Sequence, residues 1–324
     1  MADNELRQGI NNVTLIGEVK EHKLKFNKSK DGNYINGSLI IKTGEFSEIE
    51  LRIFAKEKNK DGKIKKVFET LQKFIDGDHL TLASCKNDEE RENVAKVRVF
   101  GNREFVPNFN ENIFKVKGTE EVKTRNNIDL GFGTLSVDNT IKPEDYAAKF
   151  DVEMFVTSVK EEVKNDESTG RTIVSGWTPV YGGKIIPMEI IAGIIIDDEG
   201  EEFDFGDDIL TQVEEGMTIN IWGEINYKTI ITKTKKGGGL GKAKVEEHRE
   251  YINELIATGA EIQEDEEKEF DMELIKKAKI ERDNEIENIK NEGSSEDKKS
   301  KGSGTNARRE RPKFWFCFII KKIY

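Results

Sequence analysis

Between Ile49 and Lys56 the side chains alternate in a way that matters chemically. Ile49, Leu51, Ile53 and Ala55 share one face of an extended segment, and Glu50, Arg52, Phe54 and Lys56 share the other. A ring flanked by two cations on a solvent face suits an unpaired base stacked between phosphates. The run Lys96–Phe100 repeats the pattern, with Ala95, Val97 and Val99 inward and Lys96, Arg98 and Phe100 outward. Tyr34 and Lys42 fall on the outward face of the strand before Ile49. A solvated strand with a stray aromatic alternates in the same way, so the pattern leaves both readings open. The second half of the chain offers Trp177, Tyr181 and Trp222 as further stacking platforms. It also offers a Gly/Lys stretch with Lys233, Lys235, Lys236, Lys242 and Lys244 that could close over a phosphate backbone.

Other chemistries find no support in the residues. No Ser/His/Asp set or HExxH run is present, and His22, His79 and His248 are scattered singly. The Gly/Lys stretch is not a phosphate-binding P-loop, because Lys236 and Ala243 stand where a glycine and a hydroxyl are required. The acidic run from Asp197 to Asp208 lacks the spacing of a calcium loop. The reading is therefore non-enzymatic, with no catalytic residue, metal ligand or cofactor expected.

Strands must position these residues, and the chain writes the same unit twice. A short amphipathic helix, an acidic-Gly turn and an alternating strand occur at Val67–Leu82 and again at Asp208–Ile221. A helix inserted before the fourth strand of a five-stranded Greek-key barrel is the mark of an OB-fold. The expected fold is all-β with short helices: tandem OB barrels and a charged, partly helical or disordered C-terminal segment. In the first unit strands are expected at Val13–Val19, Tyr34–Thr43, Ile49–Ala55, Leu80–Ser84 and Val94–Phe100, with a helix over Ile64–Phe74. The expected division is a loose N-terminus at 1–10, barrels at 11–116 and 148–262, and a linker at 117–147. Residues 263–324 are expected to hold an acidic arm, a Ser/Gly linker and a basic-aromatic tail.

Charge is distributed unevenly across these units. The net charge is −11, with 52 Lys+Arg against 63 Asp+Glu. Residues 1–120 are close to neutral, whereas acid concentrates between 121 and 300. Two cysteines give no disulfide framework, and a reducing cytoplasm, that of a host cell if the gene is a phage's, is the expected compartment. The N-terminus, without a basic n-region or an apolar h-region, does not read as a secretory signal, and the apolar run Phe314–Ile320 is too short to span a bilayer, so no membrane role is expected.

The first unit resembles the single-stranded DNA-binding proteins. The likeness rests on Asn12-Val13-Thr14-Leu15-Ile16-Gly17, Gly37–Thr43, Glu48–Ala55, the helix Val67–Phe74 and Asp76–Leu82. Their order and spacing match that family over about 90 residues, and the tandem arrangement resembles the bacteriophage type more than the one-domain bacterial form. The resemblance implies coating of exposed single-stranded DNA during replication or recombination. It also implies recruitment of replication proteins through an acidic C-terminal arm. The second unit is expected either to extend the footprint or to serve as a self-association surface. The chain departs from the family after that arm, where a basic, aromatic stretch closes the sequence. The rival reading is a structural or assembly protein, such as a virion component, that uses OB-like barrels for protein contacts. The net acidity favours it.

Overall fold

The computed structural model describes residues 5–295 apart from 31, 102–105, 197–198 and 237–243. The basic-aromatic tail and Lys242 lie outside the described residues.

The first barrel is built from β1 (Asn11–His22), β2 (Lys25–Ser29), β3 (Gly32–Lys42), β4 (Glu48–Lys56), α1 (Lys66–Asp76), α2 (Asp88–Glu92), β5 (Lys96–Phe100), β6 (Asn108–Lys115), β7 (Val122–Asp129) and β8 (Thr134–Val137). Period-two alternation in β1 buries Val13, Leu15 and Val19 and leaves Thr14, Ile16 and Glu18 partly exposed. β1 pairs antiparallel with β3 and β5, and β3 with β4. β7 joins β4 in parallel at Leu51↔Ile128, and β8 joins β5 antiparallel. β7 and β8 thus act as two halves of one strand, and the barrel closes in the order β1-β3-β4-β7/β8-β5. α1 plugs the barrel with Phe68, Leu71 and Phe74, on the stripe expected for it. It stops at Gly77, whose left-handed φ of 85° no β-branched residue would adopt cheaply.

Two strand expectations need correction. Leu80–Ser84 is a turn. The Ser84 hydroxyl donates to the Thr81 carbonyl, and the Thr81 N–H donates back to it, each at 2.9 Å, so local bonds curl the segment while the Leu82 and Ala83 N–H groups still donate to the Val19 and Lys20 carbonyls of β1. Lys96–Phe100 is therefore the fourth strand. The fifth lies within 117–147, the segment expected as a linker. In its strands Ile128, Leu130 and Leu135 are buried and Val137 packs against the core, and Gly131–Gly133 interrupts their alternation, which hid the strand.

The second barrel contains β9 (Ala147–Lys164), β10 (Glu167–Val180), β11 (Lys184–Ala192), β12 (Ile194–Ile196), β13 (Glu202–Asp204), α3 (Phe205–Gln212), β14 (Thr218–Lys236) and β15 (Lys244–Ile262). β9 pairs with β10 and β14, β10 with β11, and β14 with β15, all antiparallel. β11 meets β15 in parallel at Ile191↔Ile256. The order β9-β10-β11-β15-β14, closed on β9, repeats the first barrel, with α3 in the place of α1. Both are OB-folds. Each carries a glycine where the second strand crosses the kinked first strand. A Cβ on Gly37 (φ 133°) would strike the Lys23 carbonyl, and one on Gly176 the Phe155 carbonyl.

The barrels are joined edge to edge. β1 and β9 pair antiparallel from Asn11↔Val152 to Ile16↔Ala147, so one sheet runs through both. Their buried side chains form one contiguous core. The Asn11 side chain, itself buried, donates to and accepts from the backbone of Phe109 at 2.9 Å each, fixing β6 against β1.

The ends of the chain are less loose than the sequence implies. In the segment expected as a loose N-terminus, the Gly9 N–H donates to the Pro179 carbonyl, and Arg7 pairs with Glu153 and sits 4.0 Å over the Phe270 ring. The expected acidic arm is α4 (Met272–Ser295), and it is docked. Phe270, Ile275 and Ala278 are buried with Phe155 and Ile185 of the second barrel. The Phe270 N–H donates to the Thr218 hydroxyl at 2.8 Å at the start of this connection.

Candidate nucleic-acid interface

The outer face of β3 and β4 carries Tyr34, Asn36, Ser38, Arg52, Phe54 and Lys56, while Ile35, Leu39, Ile49, Leu51, Ile53 and Ala55 fill the barrel as expected. Register places Tyr34 opposite Lys56 and Asn36 opposite Phe54. The Tyr34 and Phe54 rings therefore meet on the diagonal, with centroids 5.3 Å apart and planes tilted by 38°. β2 adds Asn27, whose side-chain amide donates to Asn36 Oδ1 at 2.8 Å. Asn27, Asn36 and Ser38 were not singled out in the sequence. The period-two reading from Tyr34 would have found the latter two, and β2 was not recognised as a strand.

Four of the cations expected in the site already have carboxylate or carbonyl partners. Lys42 pairs with Glu18 at 3.0 Å, and Arg52 approaches Asp129 at 3.9 Å. Burial raises the Asp129 carboxyl above its ordinary range, against the Asn110 amide that donates to it and the nearby Arg52 charge. Lys96 donates to the Ile141 carbonyl at 2.7 Å. Arg98 pairs with Asp138 at 3.2 Å, whose carboxyl is held low, first by hydrogen bonds from Thr140 and then by Arg98. Surface pairs of this kind are worth about 0–1 kcal/mol each, so a phosphate can compete for them.

The expected single track from Arg52 to Phe100 does not form. β4 and β5 are not neighbours in the five-stranded barrel; β7/β8 separates them on one side, and β3 and β1 on the other. Phe100 instead lies on the outer surface of the sheet β8-β5-β1-β9-β14, opposite Thr134. Trp222 shares that surface, 39% exposed, with its ring against Gly259 and its backbone in register with Asp151. Burial also raises the Asp151 carboxyl, against the Asn220 amide beside it.

Trp177 needs a different correction. It faces outward on β10 opposite Pro187, but that face is occupied. The ring packs against the cluster of Phe155, Ile185, Phe270, Ile275 and Ala278, and the Arg282 guanidinium of α4 lies 5.3 Å above it. From the first barrel, the β6–β7 hairpin reaches across, and the Asn126 amide donates to the Pro187 carbonyl at 2.6 Å. The face matching the Tyr34–Phe54 surface is thus covered by α4 and the hairpin.

Tyr181 sits at the β10–β11 turn, 87% exposed. Lys233, Lys235 and Lys236 belong to β14, and Lys244 opens β15. Where it is described, at 233–236 and 244, the lysine stretch is a two-stranded ribbon that continues β14 and β15. Near its base Lys228 bridges to Ser47 of the first barrel.

Among solved structures the chain is similar to the single-stranded DNA binding protein from Thermus aquaticus. A deletion mutant of that protein matches at 11% identity and a TM-score of 0.45, covering 80% of this chain and 97% of that one. The wild-type protein matches at 11% identity and a TM-score of 0.41, covering 80% and 95%. No curated protein sequence matches the chain. A family model described as YorF matches residues 9–292, which include both barrels and most of α4, and the chain belongs to the YorF family.

Proposed function

We propose that this chain binds unpaired DNA, with little sequence preference and without catalysis, on the β3–β4 face of the first barrel. The observation that carries the reading is the Tyr34–Phe54 ring pair on an outer barrel face, with Lys42, Arg52 and Lys56 along the same strands. Rings on such a face stack bases whatever their identity, at about 1–3 kcal/mol per base. The amides of Asn27 and Asn36 supply polar contacts beside the rings. The second barrel, with its matching face covered, serves as the scaffold. It extends the footprint through Tyr181, the lysines between Lys233 and Lys244, and Trp222, whose surface continues onto Phe100 of the first barrel. In the cell the protein coats exposed strands during replication or recombination, as a phage-encoded protein would in a host cytoplasm. Any contact with replication proteins falls to the solvent side of α4, where Glu273 and Glu281 are exposed.

A second reading has an observation in its favour. Lys42, Arg52, Lys96 and Arg98 are all internally partnered and the net charge is −11, which suits a structural or assembly protein. Titration of a labelled oligo-dT at two salt concentrations separates the readings. A strand-binding protein loses affinity with salt, by a slope of about −0.7 in log K per phosphate neutralised. An assembly protein shows no salt-sensitive binding.

A further inference from the structure

β12 and β13 form a small sheet of their own, apart from the barrels. The registers Ile194↔Asp204 and Ile196↔Glu202 place two isoleucines and two carboxylates on one face. That face is not packed: Ile194 is 63% exposed and Ile196 68%. α3 lies against β12 and leaves Leu210 exposed as well. Exposed apolar side chains clustered in this way mark an interaction surface. Its charge narrows the partner. From Glu199 to Glu215 the chain holds eight carboxylates and no Lys or Arg, which repels a phosphate backbone and favours a cationic partner.

The same chain supplies a segment of matching chemistry. Residues 301–324 hold seven Lys or Arg against one Glu. Within them Phe314–Ile320 is apolar throughout, with Arg308, Arg309, Arg311 and Lys313 before it and Lys321 and Lys322 after it. Apolar residues flanked by bases meet apolar residues flanked by acids. We infer that this C-terminal segment docks on the β12–β13 face of its own chain, its rings over Ile194 and Ile196 and its bases against Glu202, Asp204 and the acids of α3. Ser295 and Lys313 are 18 residues apart, a tether of up to about 60 Å when extended. Such a tether holds the two partners at high effective concentration. The inference does not depend on nucleic-acid binding.

Zero-length carbodiimide cross-linking of the full chain, followed by peptide mass spectrometry, tests it. Lys313, Lys321 and Lys322 are expected to couple to carboxylates between Glu199 and Glu215 within the monomer band, at a yield that dilution does not change. Those links are expected to be lost in Ile196→Asp and in Glu202→Lys, both at exposed positions, with thermal melting unchanged. Coupling of these lysines elsewhere, no coupling, or coupling confined to a dimer band that fades on dilution overturns the proposal. As an independent measurement, the difference in emission between the chain and its Trp315→Phe variant reports the docked ring. That emission is expected to shift to the red in Ile196→Asp, and a ring that is already fully solvated in the parent chain overturns the docking.

Discussion

Arg282 on α4 grips Glu111 on β6 through two parallel bonds, Nε at 2.7 Å and Nη2 at 2.6 Å. The same guanidinium lies over the Trp177 ring. One side chain thus ties the C-terminal helix, a hairpin from the first barrel and the outer face of the second. A planar fork is required for this, and lysine could not replace it.

Arg282→Ala should leave the nearly buried Glu111 carboxylate unpaired. Loss of one partner of a buried pair costs roughly 3–5 kcal/mol. Urea unfolding is expected to show a loss near the lower figure, with Trp177 emission shifted to the red in the folded state.

The aromatic face makes an asymmetric prediction. Tyr34→Ala and Phe54→Ala should each weaken oligo-dT binding by about 1–3 kcal/mol with melting little changed. Trp177→Ala should leave affinity unchanged and cost stability instead, by roughly 3 kcal/mol. Equal affinity losses at all three positions would contradict the covered face.

Arg171 donates to Glu162 at 2.7 and 2.9 Å and to Glu254 at 3.2 Å, and it holds the Glu162 carboxyl down at about 2 from an ordinary 4.5. A depressed carboxyl stabilises the fold fully above its unfolded value and loses that contribution as pH falls through the folded value. The stability difference between the parent chain and Glu162→Gln should therefore be constant above about pH 5 and shrink steadily between 4.5 and 2. Asp129 and Asp151, both raised, act with the opposite sign, so the difference between the two proteins is the quantity to measure.

Gly37→Ala and Gly176→Ala should each destabilise by at least about 1 kcal/mol, because the new methyl meets a backbone carbonyl. Gly32→Ala, with nothing near its Cβ, carries only the cost of its positive φ and should be the milder change in the same urea titration.

Strands with a clear inside and outside were legible in the sequence. The Ile49–Ala55 alternation gave β4 its face, and the helix stripe through Phe68, Leu71 and Phe74 gave α1. Of the repeated helix-turn-strand unit, the helices α1 and α3 and the second copy's strand are present, while the first copy's strand is the turn at Leu80–Ser84. What the alternation could not convey was adjacency around each barrel. The separation of Phe54 from Phe100 depends on β7 and β8, whose inward residues are few and broken by glycines. The covering of Trp177 was likewise hidden, because α4 docks through a thin stripe, Ile275, Ala278 and Arg282, within a charged helix. A guanidinium used as a packing element does not register as apolar in a sequence pattern.

The β1–β9 ladder is a pairing of equivalent strands inside one polypeptide. Two separate identical chains meeting along that seam would be bound by symmetry: whatever shielded one copy's ring-bearing surface would shield its twin's. Here the halves are covalently linked and differ in sequence, so one presents an aromatic face that no helix among the described residues covers while the other gives the same region to structural contacts. Neither dilution nor partner supply can undo that division of labour.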